Sequence, residues 1–444
     1  VFIASKGEAL YENICLTNRR GYGENKEREV FTIYLGLLYT FVKINHTPKL
    51  PQKLRETSPN FLLSLQGAEV ILGNIIKPEQ LAIPILPNSS TMFGPRGACL
   101  ISPTGPLWVS DTGHHRLLGW RNLPTTDSQP ADWVIGQPDL NHEGQNAKST
   151  PGRTTLSVPT GICACGTGLA VADAWNHRVL IWKNLPEDCN VPADLVLGQA
   201  NFSDNEPNRG TQQASANTMH WPYGVFYYQG QLFVADTGNR RLLIWQQLPT
   251  ENGQPADLVL GQPDMVSRNE NGGKSASAES MRWCHDIAFW GENLVVTDAG
   301  NHRVMIWQGM PTENNTPCAV VLGQKNFDVV EMNQGGYYPN ASSLSMPYGV
   351  AVAGDWLVVA DTANSRLLGW KKPESILSLQ GKVADAIVGQ KNFQSKNENR
   401  HFGLPTRESL NWCYGIKICG QTAVIADSGN NRILLWKFNH SFIH

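Results

Sequence analysis

The sequence predicts an all-β fold, a closed ring of six four-stranded antiparallel sheets (a six-bladed β-propeller), on three observations. The first is a phrase written six times: VSDTGHHRLLGW, VADAWNHRVLIW, VADTGNRRLLIW, VTDAGNHRVMIW, VADTANSRLLGW and IADSGNNRILLW. The copies end at Trp120, Trp182, Trp245, Trp307, Trp370 and Trp436, which lie 62, 63, 62, 63 and 66 residues apart. A fixed period of this kind marks a repeat architecture. The second is a companion phrase, ADLVLGQ or a close variant, ending at Asn74, Gln137, Gln199, Gln262, Gln324 and Gln390. The third is the order of the two. Each of the first five Trp residues is followed by a companion phrase, Trp436 only by KFNHSFIH, and the extra copy stands early, at Ala68–Asn74. That early strand is expected to complete the sixth sheet, because closing the ring pairs edges that an open array leaves exposed.

Taken in order, residues 1–66 fall outside the repeat and are expected to form a partly helical N-terminal extension. The helix is placed at Asn25–Asn45, with Glu27 and Glu29 near its start, and Lys49–Thr57 follows as a polar connector. The apolar run Val30–Val42 is too short to span a membrane, which takes about 20 residues. The propeller is assigned to residues 67–438 and a tail to 439–444. The third repeat shows how a unit is built. Gly224–Tyr228 reads as a short apolar strand, Gln229–Gln231 as a turn, and Leu232–Ala235 as a second strand. Asp236–Arg240 is the next turn, Arg241–Trp245 the third strand, and Ala256–Gln262 the fourth after a linker holding Leu248 and Pro249. Four short β-rich runs separated by Gly, Asn, Asp and Pro make one antiparallel sheet, and radial stacking covers both of its faces.

Composition narrows the class. Hydrophobic residues make up 41% and charged residues 17%, which suits a folded chain with a large core. A formal net charge of −2 gives no global electrostatic footprint for nucleic acid. The nine cysteines (Cys15, Cys99, Cys163, Cys165, Cys189, Cys284, Cys318, Cys413 and Cys419) are odd in number and irregular in spacing. They read as reduced, mostly buried thiols rather than a disulfide framework. A cytoplasmic location is expected, or a secreted or periplasmic one if a leader precedes Val1. Asn-x-Ser/Thr triplets such as those at Asn45, Asn88, Asn201 and Asn340 add little in an Asn-rich chain.

The repeat resembles the NHL-repeat family. The family signature, a hydrophobic strand, D-x-x-N-H-R and another hydrophobic strand, is met most closely at Asp173–Arg178 and Asp298–Arg303. The phrase VLGQ with an Asn-rich loop and P-x-G-V behind it is similar to a subgroup found in bacterial NHL proteins. The resemblance covers residues 67–438 and implies a six-bladed propeller. It implies no single function, since the family includes ubiquitin-ligase scaffolds, RNA binders and a peptide-amidating lyase.

The residues that recur in every blade are assigned to structure, because one reaction centre does not need six equivalent copies. This covers the aspartates Asp111, Asp173, Asp236, Asp298, Asp361 and Asp427 and the arginines Arg116, Arg178, Arg241, Arg303, Arg366 and Arg432. The Trp anchors are read as packing between blades. His115, His177 and His302 sit in equivalent turns of different blades, so a metal shared among them is not expected. Function is sought where the copies differ. Before each innermost strand the chain reads GPRG, VPTG, WPYG, WCHD, MPYG and WCYG. This places Arg96, Thr160, Tyr223, His285, Tyr348 and Tyr414 in equivalent positions, expected to ring the channel mouth as a binding site.

Blade four departs furthest, with Cys284, His285 and Asp286 as candidate catalytic residues: a nucleophile, a general acid or base, or metal ligands. Neighbours on an extended segment point to opposite sides, which works against their convergence. The bland reading is a Cys in place of a buried Pro, with Asp286 capping a turn. Gluconolactonase-like propellers and the amidating lyase, to which the resemblance extends, hold a divalent ion in the channel with several acidic, Asn or His side chains. The mouth here offers one His and, at the next position, one Asp. No cofactor is therefore predicted, with a divalent metal in the channel as a poorly supplied alternative. The long Asn-, Gly- and Ser-rich loops after each GQ phrase are expected to form a polar collar on the same face. The leading expectation is a non-catalytic scaffold or accessory subunit binding a protein or peptide through that face and the mouth. The alternatives are a lyase or hydrolase centred on His285, and then RNA binding. No membrane span is expected.

Overall fold

Strand Arg241–Trp245 is apolar at every position after its arginine and buried along its whole length. A continuous run of this kind marks a strand covered on both faces. Such strands stand third in each of six four-stranded antiparallel sheets, and one short extra strand joins the fifth. The computed structural model describes residues 60–75 and 85–439 of the chain. In the third blade the strands are Pro222–Tyr228, Gln231–Asp236, Arg241–Trp245 and Leu258–Leu260. The fold is the expected six-bladed propeller, with neighbouring sheets sharing apolar clusters such as the one between blades three and four.

Closure follows the order of the phrases. Val70–Gly73 pairs antiparallel with Arg432–Lys437, Val70 opposite Leu435 and Gly73 opposite Arg432. The closing strand also holds blade one, since the Ile71 N–H donates to Asp127 Oδ1 at 2.9 Å and the Ile71 carbonyl accepts from Ser128 N–H at 2.8 Å. The Trp anchors end their strands with buried rings and a satisfied indole N–H. Trp120 donates to the Gln129 carbonyl, Trp182 to Val191 and Trp245 to Gln254. In the sixth blade Trp436 donates to Ser64, from the segment just before the closing strand. Further upstream, Asn60–Phe61 pairs in parallel with the outer strand Ala386–Val388 of blade five. Leu62 and Leu63 are buried in the cluster between blades five and six. The helix expected at Asn25–Asn45 lies outside the described residues. Among the described residues no helix is long and apolar enough to cross a membrane.

Antiparallel connectivity decides which face carries what. Each innermost strand begins on the face where the preceding outermost strand ends, so the long loops and the Asp-x-x-x-x-Arg turns share that face. The short turns between first and second strands, such as Gln229–Gly230, lie on the other.

Candidate functional site

The repeated Asp and Arg residues form a buried bracket in each blade. Asp236 Oδ1 accepts the His220 N–H at 2.7 Å, and its Oδ2 accepts from Arg241 Nε and Asn239 Nδ2, both at 2.8 Å. The outer guanidinium nitrogens of Arg241 donate to the carbonyls of Met265, Ser215 and Thr218, fastening the loops on either side of the blade. All six Arg–Asp pairs have Nε···Oδ2 distances of 2.7–2.9 Å. Asp236 and Arg241 are wholly buried with every side-chain oxygen and nitrogen partnered, which keeps them from a substrate. The Gln of each GQ phrase is committed through its amide nitrogen, while its side-chain oxygen is buried without a hydrogen-bond partner. Gln262 Nε2 donates to the carbonyls of Asn239, Arg240 and Asn269, tying the turn to the loop.

The residue before each repeated Arg is left-handed, with φ between 50° and 59°. In five blades it reaches the next blade from there, while Arg240 in blade three donates to the Gly238 and Arg268 carbonyls instead. His115, His177 and His302 use Nδ1 to accept the N–H of Val158, Trp221 and Met346 at 2.9–3.0 Å. A backbone N–H can only donate, so each imidazole is neutral with its proton on Nε2. Ser365 and Asn431 make the same contact with oxygen, to Trp412 and Gly94. Burial pushes all three histidines below the usual range, His177 to about 4.

The six mouth positions converge, and most of their side chains fill the channel. Tyr223 lies 4.4 Å from His285 between ring centroids, His285 4.1 Å from Tyr348, and Tyr348 4.7 Å from Tyr414. The Arg96 guanidinium completes the layer 4.7 Å above the Tyr414 ring. Thr160 takes no part in this stack, since its hydroxyl donates to the Tyr223 carbonyl at 2.8 Å. Tyr223 is 4% and His285 1% exposed, and the space left among these side chains is about 20 Å³, room for about one water. Burial pushes the Tyr348 phenol up to about 12 and Tyr223 further still. It pushes His285 down to about 3, against a backbone hydrogen bond from Nδ1 to the Trp283 carbonyl at 2.9 Å. The layer is therefore a plug of neutral rings with one cation at its edge. The His285 Nε2 is buried without a hydrogen-bond partner.

Cys284, His285 and Asp286 do not converge. The Cys284 thiol is wholly buried and donates to the Arg241 carbonyl at 3.0 Å, and burial raises it well above the usual thiol range. Asp286 turns into the channel instead of capping a turn. Its two oxygens receive the Lys417 ammonium at 2.8 and 2.9 Å, across the channel from blade six, and Oδ2 also accepts the Val350 N–H at 3.0 Å. The other five blades carry Gly here: Gly97, Gly161, Gly224, Gly349 and Gly415. A Cβ on Gly224 would stand 2.1 Å from the His285 carbonyl oxygen of the next blade, so the ring of inner strands demands glycine there. Among the described residues no group of three or more His, Cys, Asp or Glu is placed to hold a metal. All eight described cysteines are free.

Below the plug the channel widens into a cavity of about 370 Å³. It is bounded by the later residues of the inner strands, so it opens on the face opposite the long loops. Phe226, Tyr228 and Phe289 form one wall, Tyr228 and Phe289 stacked at 3.9 Å, with Cys163 on the adjoining blade two and Cys99 on blade one. The sequence reading stopped at the mouth and missed this set. The signal was present three residues on, where the six blades read Cys99, Cys163, Phe226, Ala288, Ala351 and Lys417, one charge among apolar side chains.

A six-bladed propeller with a plugged channel is thus the class of protein the fold and site define. The chain is 26% identical over 238 residues to human NHL repeat-containing protein 2, covering 48% of this chain and 29% of that protein. The bovine NHL repeat-containing protein 2 is 27% identical over 222 residues, covering 44% and 27%. The match thus spans less than a third of either relative. No family profile matches the chain. Among solved structures, hydrazine synthase of Kuenenia stuttgartiensis aligns with TM-score 0.43 and 11% identity over 82% of this chain and 99% of that one. The WD40 propeller domain of Doa1 aligns with TM-score 0.41 and 9% identity over 86% and 98%. Likeness at that level carries no functional argument.

Proposed function

We propose that this protein is an NHL-type propeller acting as a non-catalytic scaffold that binds a protein or peptide through its loop-bearing face. One observation supports the reading above the others. Of thirteen large apolar side chains that stand exposed among the described residues, ten lie in the connections leaving the outer strands or, for Trp175, in a turn on the same face. Tyr337 is 73% and Tyr338 57% exposed, with their rings 4.9 Å apart; Met332 stands in the same loop, and Val266 and Leu404 in the loops of the adjoining blades. Exposed aromatic and Met side chains set among Asn and Ser supply the apolar anchors and polar rim that protein interfaces use. The plug gives this face a closed centre, which suits a surface that docks a partner better than a pocket that admits a substrate. The test compares the wild type with a Trp175→Ser, Tyr337→Ser, Tyr338→Ser triple variant in quantitative crosslinking within extract of the native source. A stoichiometric partner lost in the variant supports the reading. A partner held equally by both, or none at all, overturns it.

A further inference from the structure

The channel cavity on the opposite face has no part in the partner reading, and its chemistry is specific enough to name a ligand class. We infer that it is a binding site for a flat, uncharged aromatic molecule carrying one hydrogen-bond acceptor, with that acceptor on the Lys417 ammonium. The volume, about 370 Å³, falls in the range that small-molecule sites occupy. The lining is apolar and aromatic except at the floor: Phe226, Tyr228, Phe289, Val350 and Ile418, with Lys417 the one charged side chain. Lys417 cannot retract into solvent, because Asp286 holds it from across the channel. That ion pair decides the charge of the ligand. Both Asp286 oxygens lie on the ammonium and cancel its charge, so a ligand anion would enter beside a carboxylate already buried there. An ammonium N–H turned away from Asp286 remains to donate to an uncharged oxygen, and a donor left unmatched in an apolar cavity costs binding energy.

The pair is also the departure from repeat symmetry that the fold does not require. Five blades have Gly where Asp286 stands, and five have Cys, Phe or Ala where Lys417 stands. A propeller needs neither residue to close its inner ring.

Three probes of one shape separate the contributions: 2-acetylnaphthalene, 2-ethylnaphthalene and 2-naphthoate, titrated into the full chain by fluorescence or calorimetry. The acetyl compound is expected to bind about tenfold more tightly than either of the others. Ala164 is exposed and borders the cavity, so Ala164→Trp is expected to weaken all three about tenfold without altering the circular dichroism. The Asp286→Gly, Lys417→Met double variant removes the pair without stranding a charge. It is expected to bind the acetyl and ethyl compounds equally. The inference is overturned if no probe binds the wild type saturably, if Ala164→Trp leaves binding unchanged, if the naphthoate binds best, or if the double variant keeps the acetyl preference.

Discussion

Acid should loosen the contacts between blades, and His177 allows the effect to be measured. Its Nδ1 must stay unprotonated to accept the Trp221 N–H at 2.9 Å. Burial, reinforced by the neighbouring His220 ring 5.2 Å away, holds it at about 4, against about 6.5 in an unfolded chain. The folded state therefore binds the proton less readily than the unfolded one. Stability is fully present above pH 6.5 and is lost as the pH falls toward 4. A difference of about 2.5 pKa units is worth on the order of 3 kcal/mol at full protonation, and about 2 kcal/mol at pH 5. His115 and His302 are lowered for the same first cause and act in the same sense. Buried groups elsewhere titrate too, so the quantity to measure is a difference between two chains. His177→Asn is the right comparison, because Asn431 already makes this contact in the sixth blade, through Oδ1 at 2.8 Å and with φ of 53°. Urea unfolding at pH 8 should find the variant within about 0.5 kcal/mol of the wild type. At pH 5 the variant should be the more stable by about 2 kcal/mol. A difference that does not change with pH, or a His177 titration by NMR near 6.5, would refute the reasoning.

Further outcomes follow from the same geometry. Arg241→Met leaves Asp236 as an unpaired buried charge and frees three loop carbonyls, so it should cost about 3–5 kcal/mol in chemical denaturation, whereas Arg240→Met, at a neighbour 25% exposed and outside the bracket, should cost far less. Leu72→Ala empties a fully buried position in the closing strand and should cost about 2–5 kcal/mol, a loss comparable to a core truncation in any other blade. Gly224→Ala forces a Cβ against the His285 carbonyl and should destabilise by at least about 3 kcal/mol, while Gly230→Ala, with open space around its Cβ but a φ of 87°, should cost about 1 kcal/mol from backbone strain alone. Each is read from the denaturation midpoint, and equal effects at the two glycines would contradict the close approach of the inner strands.

The repeat was legible because its chemistry is local. Asp236, Asn239 and Arg241 meet within one turn, and Trp245 closes the same hairpin, so their spacing carries over unchanged from blade to blade. The closing strand at Val70–Gly73 was legible for a related reason: a missing phrase at one end and a surplus at the other leave one pairing that satisfies both edges. The mouth was legible in part. Counting from the Trp anchors brought Arg96, Tyr223, His285, Tyr348 and Tyr414 to one level, but counting says nothing about how far side chains reach inward. Four rings across a narrow channel touch, and touching turned an expected open ring into a plug.

By itself, then, the sequence determined the number of blades, the strand that closes them and the residues that bracket each one, because periodicity and hairpin chemistry depend on near neighbours. Only the tertiary structure decided what the channel became. Asp286 and Lys417 stand 131 residues apart and on blades that do not adjoin, and no local rule pairs them. They meet because the ring is closed and narrow, and because every other blade keeps glycine where an added side chain would strike the next strand.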